Sequence, residues 1–185
     1  MAGTLVTDFL QTQANTLTVQ NATGATIFTA NTSGLYSSTG LLTAINQTSG
    51  TLANVTITGI QETDTISATA ATGTINFDVL TQNVLYYTTN ATGNFTINFR
   101  GSSGQTFNNT VLVNSSVTAT FLNTNGTTAY YNSAVTIDGV SVTPKWQGGV
   151  APAAGNASAV DSYNYVILKT ATNTYTVLAS LTKFA

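Results

Sequence analysis

The chain has 185 residues but few formal charges: Arg100, Lys145, Lys169 and Lys183 against Asp8, Glu62, Asp64, Asp78, Asp138 and Asp161. An average soluble domain is about a quarter charged, whereas here Thr, Ser and Asn supply 72 residues and His and Cys are missing altogether. That composition excludes a Ser-His-Asp triad, a thiol nucleophile, an imidazole or thiolate metal site and a disulfide frame. Four scattered basic residues cannot track a phosphate backbone, so nucleic-acid binding is excluded too. The expectation is a protein that is not an enzyme and holds neither cofactor nor metal.

Disordered chains combine low hydrophobicity with high net charge. Here 42% of residues are apolar and the net charge is −2, so a folded chain is expected. Thr, Val, Ile, Tyr and Phe suit a pleated sheet, while the polar helix formers Glu, Lys and Arg are scarce. The composition points to an all-β protein. The first ten residues lack the basic start and apolar run of a secretory signal, and no run is long enough for a membrane helix. Synthesis and folding in a cytoplasm, without membrane insertion, are therefore expected.

Residues 1–61 hold one charge, Asp8, and three aromatics, Phe9, Phe28 and Tyr36. Short apolar pairs alternate with small turns: Leu17 and Val19, Ile27 and Phe28, Leu35 and Tyr36, Leu41 and Leu42, Val55 and Ile57. The turns are Asn21-Ala-Thr-Gly24, Thr32-Ser-Gly34, Ser38-Thr-Gly40 and Thr48-Ser-Gly50, whose glycines permit positive φ. A stretch this poor in large side chains buries little core by itself. Residues 1–61 therefore read as a short-strand arm for attachment and trimerisation, with a boundary near Gly59–Glu62.

Residues 62–185 carry the other charges and nearly all the aromatics. Apolar residues recur at every second position: Ile75, Phe77 and Val79; Phe95, Ile97 and Phe99; Val117, Ala119 and Phe121. Tyr163, Tyr165 and Ile167, then Tyr175, Val177, Ala179 and Leu181, continue the pattern. A period of two sends one face of each strand into a core. Asp138-Gly139 between Val135–Ile137 and Val140–Val142 is a strong hairpin signal, because both turn residues tolerate positive φ. Asn125-Gly126 gives a looser one, and Asn90-Ala-Thr-Gly93 repeats the tetrapeptide at Asn21. The expected fold for 62–185 is an antiparallel β-sandwich of jelly-roll type.

Few groups could carry chemistry. Glu62 and Asp64 alternate and would share a face, with Asp138 and Asp161 as further acids for glycoside hydrolysis. Solvated acids at strand ends are the commoner reason for such residues. No loop has the dense Asp spacing of a calcium site. Asn-x-Ser/Thr occurs ten times, as composition alone produces in a chain so rich in Asn and Thr. In Tyr86-Tyr87 and Tyr130-Tyr131 one ring of each pair faces inward and the other outward. An outward ring beside Asn and Thr serves either a subunit interface or a sugar. Lys145-Trp-Gln-Gly-Gly149 and Ala151-Pro-Ala-Ala-Gly155 form the most distinctive stretch. Its Trp146 either anchors a Gly-rich loop or contacts a partner or saccharide. The candidate partner or glycan contacts are Trp146, Gln147, Tyr87 and Tyr131.

The segments Val142-Thr-Pro-Lys-Trp-Gln-Gly-Gly149, Ala151-Pro, Gly155-Asn-Ala-Ser158, Asp161-Ser-Tyr, Val177-Leu-Ala-Ser and Thr182-Lys-Phe-Ala185 resemble a C-terminal β module of structural proteins in tailed phages. Those phages infect marine bacteria, cyanobacteria among them. Met1-Ala-Gly-Thr-Leu-Val-Thr-Asp8 and Gly24-Ala-Thr-Ile-Phe28 resemble the openings of phage fibre and virion-surface proteins. The match covers about 50 residues well and the rest in style only, so no functional residue is transferred. The resemblance implies a virion-surface component of the fibre or spike kind, a homotrimer attached to other virion proteins through residues 1–61. Its sandwich would face host surface polysaccharide. A capsid decoration protein is the alternative, and a lectin-like cell-surface module a further one.

Overall fold

Strands dominate the computed structural model, which describes residues 16–31, 34–37, 56, 58, 59 and 61–185. The chain divides into two compact units, Met1–Ile57 and Thr58–Ala185. In the first, β1 (Thr16–Gln20), β2 (Thr26–Asn31) and β3 (Gly34–Ser37) form a three-stranded antiparallel sheet in that order. The β1–β2 turn follows from Asn21-Ala-Thr-Gly24. Asn21 Oδ1 accepts from the Thr23 and Ala25 amides at 3.0 and 2.9 Å, and Gly24 takes φ 81°. The pairs Leu41 with Leu42 and Val55 with Ile57, the turns Ser38–Gly40 and Thr48–Gly50, Asp8 and the opening Met1–Asp8 lie outside the described residues.

The second unit contains β4 (Asp64–Ala70), β5 (Gly73–Asp78), β6 (Val84–Thr89), β7 (Phe95–Arg100), the one-turn helix α1 (Phe107–Thr110) and β8 (Ser115–Thr124). After these come β9 (Asn132–Ile137), β10 (Val140–Val142), β11 (Lys145–Trp146), β12 (Val160–Ala171) and β13 (Thr174–Phe184). They make a four-stranded sheet ordered β10-β9-β7-β5 and a six-stranded sheet ordered β11-β13-β12-β8-β6-β4.

All-β is thus the observed class, but the pairing departs from the antiparallel expectation. Antiparallel ladders join β12 to β8 and β13, and β9 to β10. The pairs β4–β6, β6–β8, β5–β7, β7–β9 and β11–β13 run parallel. From β4 to β9 the chain changes sheet after every strand, so two crossings return it to the same sheet in the same direction. Parallel neighbours require such crossovers, whereas a hairpin produces antiparallel ones. Asp138-Gly139 does form its hairpin, with φ 52° and 79°. Asn125-Gly126 instead opens the crossover from β8 to β9. Asn90–Gly93 likewise carries the chain from β6 to β7.

The corners stack as the strands do. Thr92 N donates to Ala71 O at 3.0 Å and Ala91 N to Thr124 O at 2.8 Å at one end; Val79 N donates to Arg100 O at 3.0 Å at the other. These bonds satisfy backbone groups that crossovers would otherwise strand away from water.

The alternating apolar residues meet in one buried cluster shared by both sheets. Phe95 on β7 meets Phe121 on β8 at 5.3 Å and Tyr163 on β12 at 5.7 Å, edge to face in both cases. Phe99 meets Tyr165 at 5.1 Å in the same manner. Edge-to-face rings place the positive rim of one on the negative face of another, worth about 1 kcal/mol beyond burial. Phe95→Ala should therefore lower stability by about 4 kcal/mol in denaturant unfolding. A loss below 1 kcal/mol would show that this aromatic junction does not hold the two sheets together.

Candidate functional site

Trp146 reaches its place through β11, a two-residue strand laid parallel on β13 with Lys145 opposite Leu178 and Trp146 opposite Ala179. The pairing turns the indole toward the core, where it meets Tyr165 at 6.2 Å and 67° and is half-buried. The chain then leaves through a 3-10 turn at Gln147–Gly149, with Gly148 at φ 76° and Gly149 at φ 79°. Two consecutive left-handed residues explain the Gly-Gly pair.

A cleft of about 690 Å³ opens beside Trp146, between the β9–β10 hairpin and the segment Thr143–Pro152. Val135, Val142, Pro144 and Pro152 give it apolar surface, and Ser141, Thr143 and Lys145 bring polar groups. A second groove of about 430 Å³ runs over β8, β12 and β13 and is lined by Gln147, Lys145, Asn164 and the exposed Leu178. Trp146 thus lines both grooves, and Gln147 lines the second.

The structure places the two tyrosines elsewhere. Tyr87 on β6 is the inward member of its pair, packed edge to face on Phe121 at 5.3 Å, and burial raises its phenol above the ordinary value. Tyr131 is half-buried in the loop before β9; its amide donates to Asn94 Oδ1 at 3.2 Å and its carbonyl accepts from Phe95 N. Neither lines the cleft. Tyr86 is the other member of the first pair and accepts from Thr124 Oγ1 at 3.4 Å.

Among the described residues the carboxylates do not converge. Glu62 and Asp64 are exposed before and at the start of β4. Asp78 pairs with Arg100 across β5 and β7 at 2.5 Å. Asp138 accepts from the Phe107 and Asn108 amides at 2.7 and 3.0 Å, satisfying the free donors at the start of α1. Among the described residues no group of three or more acidic side chains could hold a metal ion.

Five polar side chains, Asn123, Asn125, Asn132, Asp161 and Lys169, are buried, a placement that no motif in the sequence marks. The strand period contained the signal for three of them, since Asn123 follows Ala119 and Phe121, while Asp161 and Lys169 flank Tyr163–Ile167 at the same spacing. Lys169 Nζ donates to Asn108 O and to Val111 O, 2.8 Å in the latter case, fastening α1 to β12. Asn132 binds four partners: its Nδ2 donates to Phe95 O and Ala134 O, its Oδ1 accepts from Tyr165 Oη, and its amide donates to Tyr163 Oη.

No protein family, curated protein or solved structure matches the chain.

Asp138 combines a positive φ with two amide hydrogen bonds, so its replacement tests the anchoring of α1 directly. Asp138→Ala should cost about 2 kcal/mol in thermal unfolding, with Asp138→Asn losing less because Asn tolerates the left-handed turn. Equal losses in the two variants would contradict this division between backbone and carboxylate.

Proposed function

We propose that the chain is a non-enzymatic structural protein of a phage virion, of the fibre or spike kind, that presents its Trp146 cleft to host surface polysaccharide. Residues 1–61 serve as the short-strand arm that attaches to other virion proteins and trimerises. The two packed sheets serve as an outward, sandwich-like head. The observation that carries the reading is the cleft itself. An indole, two prolines and two valines supply apolar surface, while hydroxyls and one ammonium stand at its walls. Sugars present apolar ring faces edged by hydroxyls, and a surface of this mixed character complements them.

Three further features support it. The carboxylates are spent on structure or stand apart, which disfavours glycoside hydrolysis, where a close pair must flank the bond. The sparse charge suits a neutral, hydroxyl-rich ligand whose binding depends little on salt. The resemblance of the Lys145–Gly149 and Asp161–Tyr163 segments to phage structural modules supplies the setting. Trimerisation through the arm would cover the edges of β1 and β3, which pair with no other strand among the described residues and otherwise invite uncontrolled strand pairing.

Three measurements test this reading. Trp146→Ala should abolish retention on host polysaccharide while keeping a cooperative unfolding transition; undiminished retention would overturn the role of the cleft. Antibody-gold labelling of intact particles should mark the tail. Label on the head would assign the chain to capsid decoration instead, and unlabelled particles would remove both. Light scattering should give the mass of three chains, and a single-chain mass would refute the trimer.

A further inference from the structure

Asp161 at the start of β12 and Asn123 near the end of β8 stand directly opposite each other in the antiparallel ladder. Both side chains face inward and both residues are fully buried. Side chains in such positions have Cβ atoms about 5 Å apart, within reach of a direct hydrogen bond. Among the described residues, Asn123 Oδ1 and Asp161 Oδ1 are buried acceptors with no hydrogen-bond partner. A buried acceptor left unpaired costs about 1–3 kcal/mol, and two of them on facing residues have a common cause.

The neighbouring bonds fix which atoms face each other. Asn125 Oδ1 accepts from Tyr130 N at 3.0 Å, and Asn125 Nδ2 donates to Tyr130 O at 3.1 Å. A backbone amide and carbonyl therefore pin that side-chain amide in one orientation. Asn123 must then offer its Nδ2 to Asn125 Oδ1, at 3.1 Å, which leaves its oxygen free. Asp161 Oδ2 accepts from Asn125 Nδ2 at 3.0 Å and from Asn156 N at 2.9 Å, which leaves Oδ1 free. Two acceptors cannot bond to each other unless one of them carries a hydrogen.

We propose that Asp161 is protonated in the native protein and donates through Oδ1 to Asn123 Oδ1, closing a buried ring of Asp161, Asn125 and Asn123. One proton satisfies both unpaired acceptors and removes a charge from the interior. Burial is the largest influence on this carboxyl and raises its pKa above the ordinary carboxylate value, against the lowering effects of the Asn156 amide, Lys183 and Asn125. Around the ring, Lys183 faces Asp161 from β13, and Tyr163 lies two residues along the same strand. The loop before β9 contributes Tyr130 and Tyr131, and the loop before β12 contributes Gly155 and Asn156. Of these, Lys183 is the one basic side chain, and its Nζ donates to Gly155 O at 3.3 Å.

The ring ties three segments together: the end of β8, the crossover to β9 and the loop preceding β12. That last loop also carries Ala151 and Pro152 of the Trp146 cleft. Gly155 lies so close that a Cβ there would stand 2.8 Å from Asp161 Oδ2 and 2.7 Å from Asn125 Nδ2, so the enclosure excludes any larger residue. The native state then binds this proton more tightly than the unfolded chain does. Its contribution is full below the unfolded carboxylate value of about 3.9 and is lost as pH rises through the higher native value.

Carbon-13 NMR of the full chain labelled at Asp carboxyl carbons tests the proposal. The Asp161 signal should keep its protonated position above the ordinary carboxylate value of about 3.9, and should move only at higher pH. A carboxylate signal for Asp161 that appears at or below that ordinary value would overturn the proposal, leaving a bridging water or cation between the two oxygens. Asp161→Asn places a permanent N–H donor opposite Asn123 Oδ1, so it should flatten the decline of Tm expected of the parent protein as pH rises above about 4. An unchanged decline would equally overturn it. Should that variant fail to fold, the titration of the unaltered protein decides alone. Neither readout depends on what the Trp146 cleft binds.

Discussion

The fold of residues 58–185 depends on one constraint: from β4 to β9 the chain changes sheet after every strand. Each strand therefore borders the strand two steps along the sequence and runs parallel to it. The inner side chains of both sheets must then be supplied in step, because every crossover brings the next strand over the same interior. Phe77, Phe95, Phe99, Phe121, Tyr163 and Tyr165 meet there as tilted or edge-to-face pairs. The antiparallel β12–β13 hairpin then extends the six-stranded sheet beyond β8 and carries β11, and with it Trp146, at the far edge.

Polar chemistry in this protein follows from that geometry. Crossovers bring backbone groups and strand ends inward, where water cannot satisfy them. Asn, with two donors and two acceptors on a short stem, supplies what the corners need. Asn132 joins β7, β9 and β12, and Asn125 clamps the corner at Tyr130 while reaching Asp161. The abundance of Asn and Thr is thus partly structural. The few ionisable groups are spent in the same way: Lys169 and Asp138 hold α1 from opposite sides, and Arg100 joins Asp78 across two strands.

The Trp146 cleft lies where the winding stops. β10 is the outer strand of one sheet and β11 the outer strand of the other, and the groove runs between them. A half-buried indole at such an edge has two roles together: its packing on Tyr165 anchors β11, and its remaining surface forms part of a wall. Anchoring and contact are therefore not exclusive, because packing on Tyr165 uses only part of the half-buried indole. Tyr87, by contrast, is used by Phe121.

By itself the sequence determined the strands with a clear apolar alternation, β5, β7, β8, β12 and β13, and which of their faces turn inward. The period of two encodes this locally, residue by residue, and reaches even Asp161, Asn123 and Lys169 once the apolar run is extended by one step. It determined the Asp138-Gly139 hairpin as well, because positive φ is a property of the turn residues. The partner of each strand was decided only by the tertiary structure. Asn-Ala-Thr-Gly makes a hairpin at Asn21–Gly24 and a crossover at Asn90–Gly93, with the same four residues in each. What differs is the surface available to the following strand. Beyond Gly93, Phe95 is buried against Phe121 and Tyr163, which are 26 and 68 residues further along the chain. Burial against such distant rings outweighs the local preference of a turn, and no local pattern records it.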